Sequence, residues 1–564
     1  MVGAFAEIVR SRADDERIGL RFGDEQWTWG QVVRESADRA ALISTMRVGG
    51  GPSHIGVLLE NTPEFLFWTC AAALTGSVLI GINPTRRGAE LAADIRHVDC
   101  DTLVAEDRLA GLLDGIDCGV APDRILNVDA AGYPDRLDPL RGAALPAEVP
   151  DPGETLLLLF SSGSTGAPKA VICSQGRLAG LAEALAVRTE LTRESVSYLC
   201  MPLFHGNSMM MNFAPSLYVG ATLCLARRFS ASGFVRDIHR YRATYVNYVG
   251  RALSYVLSVP ETPADHQSSL QLAVGTEASA ADVARFSARF GCRVSEGYGL
   301  SEGVLRINRT AQTPPDSLGL PVGGADVRGM NAETGAECPP AVFGEHGQLL
   351  NPDEAIGQLV AVGKAPDFEG YYKNPDAYAE RVRGADFWTG DLAYRDANGF
   401  FYFAGRASDW LRVDSENFSA APVERILERW DPVAVALVYA VPDPRTGDQV
   451  MCTLQLADGV AFDPQAFARF LDTQPDLGTK WRPWFVRVTD EVPTTGSNKV
   501  AKTVLRRDAW ITSDPVYWHD GDGGYRLLDQ RQRELFEKEF SEHGRTALLP
   551  TAAAPAAGGH SRED

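Results

Sequence analysis

The chain has 564 residues, of which 45% are hydrophobic and 23% charged, a composition typical of a globular protein with several folding units. Its 74 acidic residues outnumber 54 basic ones, and the formal net charge of −20 excludes a general nucleic-acid partner, because phosphate binding needs a basic surface. Only seven basic residues are lysines, at positions 169, 364, 373, 480, 499, 502 and 538. Because arginine supplies most of the positive charge, each lysine is a candidate for a specific role.

Cysteine usage and apolar segments bear on the compartment. The nine cysteines include no C-x-x-C pair, which predicts reduced thiols in a cytoplasmic protein rather than disulfides or a zinc site. The first residues lack the apolar stretch of a secretory signal. Residues 65–82 are uncharged over almost a membrane-spanning length, but their Thr, Ser and Gly content favours a buried helix at about 63–75, a glycine turn and a buried strand at 78–82. We expect membrane contact to be at most peripheral.

Apolar runs alternate with helical patterns through the first 400 residues. The predicted strands are 54–60, 77–82, 155–160, 221–226, 243–249 and 271–275, and the predicted helices between them include 29–45 and 279–290. This alternation predicts an α/β fold with mainly parallel sheets. A turn followed by a hairpin strand is predicted at 395–405.

The pattern begins again after Gly405 with an amphipathic helix at 421–430, a strand at 433–441 and a strand that enters a loop at 485–499. We predict a large N-terminal domain, residues 1–405, of mainly parallel sheets with flanking helices and internal subdomains. A small, mobile α+β domain is predicted for 406–545. The tail, 546–564, is rich in Ala, Pro and Gly and is predicted to be disordered.

The segment FSSGSTGAPKAV, residues 160–171, is the strongest local signal for chemistry. A predicted strand enters a loop with two glycines, four hydroxyl residues and a lysine, and glycines allow backbone N–H groups to face an anion. Hydroxyl groups and an ammonium add donors that suit phosphate oxygens. The spacing does not match a Walker A loop. Such loops are often flexible connections, but a lysine in a lysine-poor chain favours phosphate binding.

This loop resembles the AMP-binding motif of the adenylate-forming enzymes, which include acyl-CoA synthetases, luciferases and the adenylation domains of peptide synthetases. Further motifs resemble those of the family in the same order: MPLFHGN (201–207), VSEGYGLSEG (294–303), FEGYYKNPDA (368–377), WTGDLAYRD (388–396), GRASDWLRVDSENFSAAPVE (405–424) and VPTTGSNKVAK (492–502). GLSEG (299–303) also fits the nucleophile elbow of hydrolases, but the ordered series explains this segment better.

The resemblance implies that a carboxylic acid is joined to AMP with release of pyrophosphate and is then transferred to coenzyme A, so ATP, Mg²⁺ and coenzyme A are the expected cofactors. Glu302 would bind Mg²⁺ as a hard oxygen donor, and Tyr298 would stack on adenine. Asp391 would accept hydrogen bonds from the ribose, with Arg406 as a charged donor nearby. The other residues expected to bind ATP or AMP are Ser161, Ser162, Gly163, Ser164, Thr165, Gly166, Lys169, Gly275, Thr276 and Ser301. Taken singly, Asp391 could be a turn residue and Tyr298 a core residue.

Lys499 lies in a loop late in the small domain, and its counterpart in the family reaches the carboxylate and the α-phosphate. A compact ammonium suits a migrating anionic centre. Lys502 is the neighbouring candidate, and we expect it to be a surface residue instead.

The hinge motif places Asp409 where the family's small domain rotates between an adenylating and a thiolating pose. Ser415 replaces the glycine usual in that motif, just before Glu416 and Asn417, in the expected vicinity of CoA. A side chain at this point puts the CoA step in question, but not adenylation.

The segments NYVGRALSYVL (247–257), GTEAS (275–279) and RPWFVRVTDEVPTTGSNKVAK (482–502) most resemble the very-long-chain acyl-CoA synthetase and fatty-acid-transport-protein branch. This resemblance implies a long-chain fatty acid. The Arg-rich, Lys-poor composition suggests a GC-rich bacterial genome, and such bacteria also activate sterol-derived acids. The expected acyl-pocket residues are Met209, Met210, Val249 and Gly250, although methionines are also ordinary core residues. His205 would either gate access of the substrate carboxylate to the site or simply pack within the fold.

Two other functions stay open. The chain could be an acyl-AMP ligase that loads a carrier protein, or a non-catalytic lipid-binding or uptake protein that retains a nucleotide pocket. The expected partners are small molecules only, and the expected assembly is a monomer or a homodimer.

Overall fold

The computed structural model describes residues 3–47, 49–161, 169–250, 252–276, 278, 280–310, 312–314, 317–344, 349–406, 410–413, 416–444, 448–474, 477–478, 480–494, 500–521, 524–543 and 545–550. The strands, in chain order, are Ile18–Phe22 (β1), Glu25–Thr28 (β2), His54–Leu58 (β3), Val78–Gly81 (β4), Thr102–Ala105 (β5), Ile125–Asn127 (β6), Thr155–Ser161 (β7), Lys169–Ser174 (β8), Val196–Leu199 (β9), Thr222–Leu225 (β10), Tyr245–Val249 (β11), Leu272–Thr276 (β12), Arg293–Gly299 (β13), Arg306–Asn308 (β14), Leu320–Pro321 (β15), Val327–Met330 (β16), Gly357–Ala361 (β17), Val382–Arg383 (β18), Asp386–Arg395 (β19), Phe401–Arg406 (β20), Trp410–Val413 (β21), Glu416–Ser419 (β22), Val433–Pro442 (β23), Asp448–Leu456 (β24), Phe485–Thr489 (β25), Val516–His519 (β26) and Tyr525–Leu527 (β27).

The α-helices are Phe5–Arg10 (α1), Trp29–Met46 (α2), Pro63–Thr75 (α3), Gly88–His97 (α4), Asp107–Ala110 (α5), Gly132–Leu137 (α6), Gln175–Arg188 (α7), Gly206–Ser208 (α8), Ala214–Val219 (α9), Ala231–Tyr241 (α10), Ala252–Ser258 (α11), Ala280–Phe290 (α12), Pro352–Ala355 (α13), Pro375–Arg381 (α14), Ala420–Leu427 (α15), Pro464–Asp472 (α16), Lys502–Asp508 (α17) and Gln530–Glu542 (α18). A π-helical segment, Met209–Phe213, joins α8 to α9.

Two largely parallel sheets dominate the first part of the chain. The six-stranded sheet has the order β6-β5-β3-β4-β7-β8, and only its β7–β8 pair is antiparallel. The nine-stranded sheet has the order β15-β14-β13-β12-β11-β9-β10-β1-β2 and is parallel from β13 to β1. Val57 of one sheet and Leu223 of the other belong to the same buried apolar core. The predicted α/β fold with mainly parallel sheets is confirmed.

The uncharged segment 65–82 is part of this core. Helix α3 begins with Pro63 and ends at Gly76, whose φ of 62° allows the tight turn into β4. Phe65 and Trp68 are fully buried, because they face the protein interior rather than lipid. Within the described residues, no helix is long and apolar enough for a membrane span.

A third sheet departs from the parallel pattern. Strands β16 to β20 form an antiparallel sheet in which β19 and β20 are the hairpin predicted at 395–405. Short connections favour antiparallel neighbours, whereas parallel pairing requires a long crossover. Gly399, with a φ of 89°, supplies the turn.

The chain changes sheet after β20. A separate hairpin, β21–β22, leads to a five-stranded sheet in the order β23-β24-β25-β26-β27, which is covered by α15 to α18 and is parallel only at β24–β25. This part has its own apolar core around Val438, Cys452 and Phe467. Residues 551–564 lie outside the described residues, so the disorder of the tail stays a prediction. All nine cysteines are free thiols, as predicted, and only Cys338 is not buried.

Candidate active site

Lys169 begins β8, directly after residues 162–168, which lie outside the described residues. Its side chain is only 7% exposed, and its Nζ lies 2.9 Å from Glu380 Oε2 on α14. The ammonium also lies 5.9 Å from the centre of the Tyr371 ring. A buried ammonium needs a counter-charge, and Glu380 supplies it. The lysine of the predicted phosphate loop is therefore held at a defined place.

Tyr371 connects this lysine to the predicted metal ligand. Its hydroxyl donates a short hydrogen bond to Oε1 of Glu302, which is buried in the turn after β13. Burial, and then the charge of Glu302, raise the pKa of Tyr371, so the hydroxyl stays a donor. One aromatic ring thus lies against Lys169 and orients Glu302. Sequence reasoning identified the FEGYYKNPDA motif but not this role.

The donor set around Glu302 fits a substrate-bound Mg²⁺. Within the described residues, no group of three His, Cys, Asp or Glu side chains could hold a metal ion by itself. Mg²⁺ is usually held by one or two carboxylates together with substrate phosphates. A single carboxylate, oriented by the same Tyr371 that lies against Lys169, is compatible with that arrangement.

Arg177, on α7, fixes the turn that carries Ser301 and Glu302. Its guanidinium donates to the Ser301 carbonyl and to the Ile172 carbonyl at 2.7 Å. Gly303 has a φ of 71° and lies so close to Arg177 that a side chain there would collide with the guanidinium. Sequence reasoning missed Arg177, and the only signal in the sequence was Gly303 at the end of the VSEGYGLSEG motif.

Tyr298 and Asp391, which are 93 residues apart, meet at the end of β13. The Tyr298 hydroxyl donates to Asp391 Oδ2 at 2.6 Å. Burial, and then the charge of Asp391, raise the pKa of Tyr298 well above its ordinary value. Tyr298 also packs against the main core. Arg406 is the cross-strand neighbour of Asp391, and its side chain lies outside the described residues.

Gly275 and Thr276 end β12, between β11 and β13. A Cβ at Gly275 would lie 2.5 Å from the ring of Tyr248, whose hydroxyl donates to Glu296. The Thr276 carbonyl accepts from the backbone N–H of Gly250 at 2.9 Å. Glycine at 275 therefore lets the Tyr248 ring cross the neighbouring strand.

The predicted acyl residues divide between two cores. Met209 and Met210 are buried in the main core, whereas Val249 belongs to a neighbouring cluster. His205 is the N-cap of α8, and its Nδ1 accepts from the Asn207 N–H at 3.4 Å. The methionines lie on the π-helical segment, a distortion frequent at functional sites.

Some of the predicted site residues fall in segments that the structure does not describe. Ser162, Gly163, Ser164, Thr165, Gly166, Asp409, Ser415 and Lys499 lie outside the described residues, as do the side chains of Ser161, Glu416 and Asn417. Lys502 is described, and it is neither fully exposed nor buried. Its side chain is 20% exposed, because its Nζ pairs with Glu424 Oε1 at 2.6 Å.

Comparison with known proteins extends this picture. The sequence profile described as AMP-binding enzyme matches residues 5–351. Steroid-22-oyl-CoA synthetase of Rhodococcus jostii (strain RHA1) is 49% identical over 548 residues, which cover 96% of this chain and 98% of that protein. The medium/long-chain-fatty-acid–CoA ligase FadD17 of Mycobacterium tuberculosis is 40% identical over 511 residues, which cover 91% of this chain and 97% of that protein.

Solved structures agree with the fold. ATP-bound MatB from Rhodopseudomonas palustris has a TM-score of 0.76 at 21% identity, covering 89% of this chain and 97% of that one. The anthranilate CoA ligase AuaEII, in complex with anthranoyl-AMP, has a TM-score of 0.78 at 21% identity, covering 91% and 98%. Because the profile spans more than half of the chain and the relatives align over nearly all of it, the chain belongs to the AMP-binding enzyme family of adenylate-forming ligases.

Proposed function

We propose that this enzyme activates a long-chain fatty or steroid-derived carboxylic acid. The protein is an AMP-forming acyl-CoA synthetase, which converts an acid and ATP to acyl-AMP and pyrophosphate and then transfers the acyl group to coenzyme A. The observation that carries the assignment of its site is the arrangement of Lys169 and Glu302 around Tyr371. It pairs a cation for phosphate, at the start of the antiparallel strand β8, with a carboxylate for Mg²⁺ that follows the parallel strand β13.

Each proposed role follows from the chemistry of the group. Lys169, together with the loop 162–168, binds the β- and γ-phosphates. Glu302 holds Mg²⁺, which when bound neutralises phosphate charge and favours departure of pyrophosphate. Asp391, oriented by Tyr298, accepts the ribose hydroxyls, and Arg406 adds a charged donor. Lys499 binds the carboxylate and the α-phosphate while they react.

The identity of the acid rests on the relatives. One is named for steroid-22-oyl-CoA synthesis and another for medium- and long-chain fatty acids. Steroid acids and fatty acids are both mostly apolar molecules, so we propose an acid of this kind. We also infer a cytoplasmic enzyme, because free buried thiols suit a reducing compartment. We expect a monomer or homodimer with at most peripheral membrane contact. Sedimentation of the protein alone measures its assembly state, and co-sedimentation with lipid vesicles measures membrane contact.

A pyrophosphate-release screen tests the proposal. Acids ranging from acetate to steroid-derived acids are supplied with ATP, with and without coenzyme A. We expect release with long-chain or steroid acids and formation of the acyl-CoA thioester. Thioester formation only on a phosphopantetheinyl carrier protein would favour the carrier-loading alternative, and no release with any acid would favour the non-catalytic one.

Replacement of Lys499 separates the half-reactions. Lys499→Ala should lower acyl-adenylate formation about 100- to 1,000-fold, because it removes an electrostatic stabiliser of the transition state. Thioester formation from supplied acyl-AMP should be retained. Lys538→Ala is the matched control, since Lys538 is an exposed helix residue paired with Glu542. Normal pyrophosphate release by Lys499→Ala would contradict the assignment.

A further inference from the structure

One face of the nine-stranded sheet carries polar residues next to the predicted acyl pocket. The register of β11, β12, β13 and β14 aligns Asn247 with Val274, Gly297 with Asn308, and Gly299 with Arg306. Since side chains alternate along a strand, this face also carries Val249 and Thr276, which were predicted to line the acyl and nucleotide sites. The acid is therefore expected to lie along this face.

Two arginines meet here. Arg188 ends α7, and its Nη1 donates to Asn308 Oδ1 at 3.0 Å. Arg306 stands on β14 two residues before Asn308, near enough for its charge to act on Arg188, and both side chains are half-buried. Burial, and then the charge of Arg306, lower the pKa of Arg188 to about 10, while burial lowers the pKa of Arg306. A pKa of about 10 keeps the Arg188 guanidinium charged at neutral pH.

These two cations differ from other buried arginines of the protein. Arg39 pairs with Glu35 and Glu64, and Arg289 pairs with Asp265 at 2.7 Å. Within the part of the chain that the structure describes, neither Arg188 nor Arg306 has a carboxylate partner. Removing a cation from water without a counter-charge is costly. A ligand that supplies acceptor oxygens would offset that cost.

The face of the sheet beside the two arginines is open at Gly299 and polar at Asn247. A Cβ added at Gly299 would have no neighbour closer than the Leu305 carbonyl oxygen at 3.9 Å, so Arg306 adjoins unfilled space. Asn247, on the same face, is fully buried and donates to Asn207 Oδ1 at 2.7 Å. A pocket meant only for a hydrocarbon chain would present apolar groups at these positions.

We propose that Arg188 and Arg306 bind an acceptor oxygen that the acid carries away from the carboxyl group to be activated. This inference rests on the proposed function and narrows its substrate to oxygenated acids, such as keto-steroid acids or dicarboxylic acids. Two guanidinium groups and the Asn308 amide can surround one carbonyl or one carboxylate. Arg188 and Arg306 then determine specificity, and the activation chemistry occurs at the other end of the acid.

Matched acids test the wild-type enzyme. Pyrophosphate release is measured with hexadecanoic and hexadecanedioic acid, and with a steroid carboxylic acid that has or lacks a ring ketone. We expect kcat/KM to be about 10- to 100-fold higher for at least one oxygenated member, because a hydrogen bond to a charged group is lost in its partner. The keto pair reports carbonyl binding, and the diacid pair reports carboxylate binding.

Variants connect that preference to the arginines. Arg306→Met and Arg188→Met should remove most of the preference while leaving kcat/KM for the unsubstituted acid within about threefold, and Arg306→Lys should restore part of it. Arg293→Met is the matched control, since Arg293 lies on β13 but is 60% exposed and paired with Glu190. Circular dichroism checks that each variant is folded.

The outcomes are distinct. Equal kcat/KM within both acid pairs in the wild-type enzyme would overturn this inference and leave the proposed function standing. A preference that survives in both folded methionine variants would also overturn it. No pyrophosphate release with any acid would overturn the proposed function, and this inference with it.

Discussion

Side chains in this site hold one another in position. Tyr371 lies against the Lys169 ammonium and donates to Glu302, so two groups with different proposed roles share one neighbour. Motif recognition assigned Lys169 and Glu302, because each residue type suits phosphate or Mg²⁺. It did not assign Tyr371, since an aromatic residue in a motif is compatible with packing alone. The hydrogen bond from Tyr371 to Glu302 became visible only from their positions in space.

Tyr371→Phe tests this connection. The ring would still pack against Lys169, but Glu302 would lose the donor that orients it. We expect the Mg²⁺ concentration for half-maximal pyrophosphate release to rise about tenfold, as when the supporting contact of a metal ligand is removed. Tyr378→Phe is the control, because Tyr378 stacks on Phe368 at 5.4 Å and is part of the same region. An unchanged Mg²⁺ dependence in a folded Tyr371→Phe variant would show that this bond does not orient Glu302.

Whole elements were predicted well where their signals are local. The segment 65–82 was assigned to a buried helix and strand because polar residues and glycines interrupt it, and α3 and β4 confirm that interpretation. The antiparallel sheet β16–β20 was anticipated only at its hairpin. Short strands with irregular spacing carry little periodicity, so their pairing depends on partners far along the chain.

At position 275, the Tyr248 ring of the neighbouring strand β11 leaves room only for glycine. Gly275→Ala would place a Cβ 2.5 Å from the Tyr248 ring and disturb its hydrogen bond to Glu296. We expect the free energy of unfolding to fall by about 1–3 kcal/mol, as in other overpacked sites, and chemical denaturation measures it. Gly132→Ala is the control, because Gly132 is helical with no heavy atom within 4 Å of the added Cβ. Equal stability of the two variants would mean that Tyr248 moves aside without cost.

At the scale of the whole molecule, α15 connects the described C-terminal part with the rest through long polar contacts. Arg425 of α15 reaches the Phe403 carbonyl at 3.4 Å and the Tyr394 hydroxyl at 3.5 Å, both near the upper limit for a hydrogen bond. The apolar core of the C-terminal part, around Val438 and Phe467, is separate from the main core. We propose a domain division at 405/406, with a hinge at Asp409 that allows the small domain to rotate between half-reactions.

Asp409→Pro tests the hinge. Proline restricts the backbone torsion that a rotation would change, so acyl-AMP formation should persist while thioester formation falls at least about tenfold. Asp409→Ala removes the carboxylate but leaves the backbone free, and it should retain both half-reactions. Equal loss of both half-reactions in a folded Asp409→Pro variant would argue against a hinge. Stopped-flow measurement of each half-reaction distinguishes these results.

The net charge of −20 also gains meaning at this scale. It excluded a nucleic-acid partner, yet the substrates of this enzyme are anions. Buried or half-buried cations such as Lys169, Arg188 and Arg306 stand at specific points of an acidic molecule. We therefore expect local placement of cations, rather than overall charge, to govern binding of these small anions.

The sequence by itself determined the α/β class, the order of the motifs and the AMP-binding family, because these depend on residue types and spacings along the chain. It also indicated which residue types could bind phosphate, Mg²⁺ and ribose. Only the tertiary structure decided which side chains meet: Tyr298 with Asp391, Tyr371 with Glu302, and Lys502 with Glu424. It alone placed Arg188 beside Arg306 without an acidic partner in the described chain. Contacts between distant segments depend on strand order and register, which residue spacing does not encode.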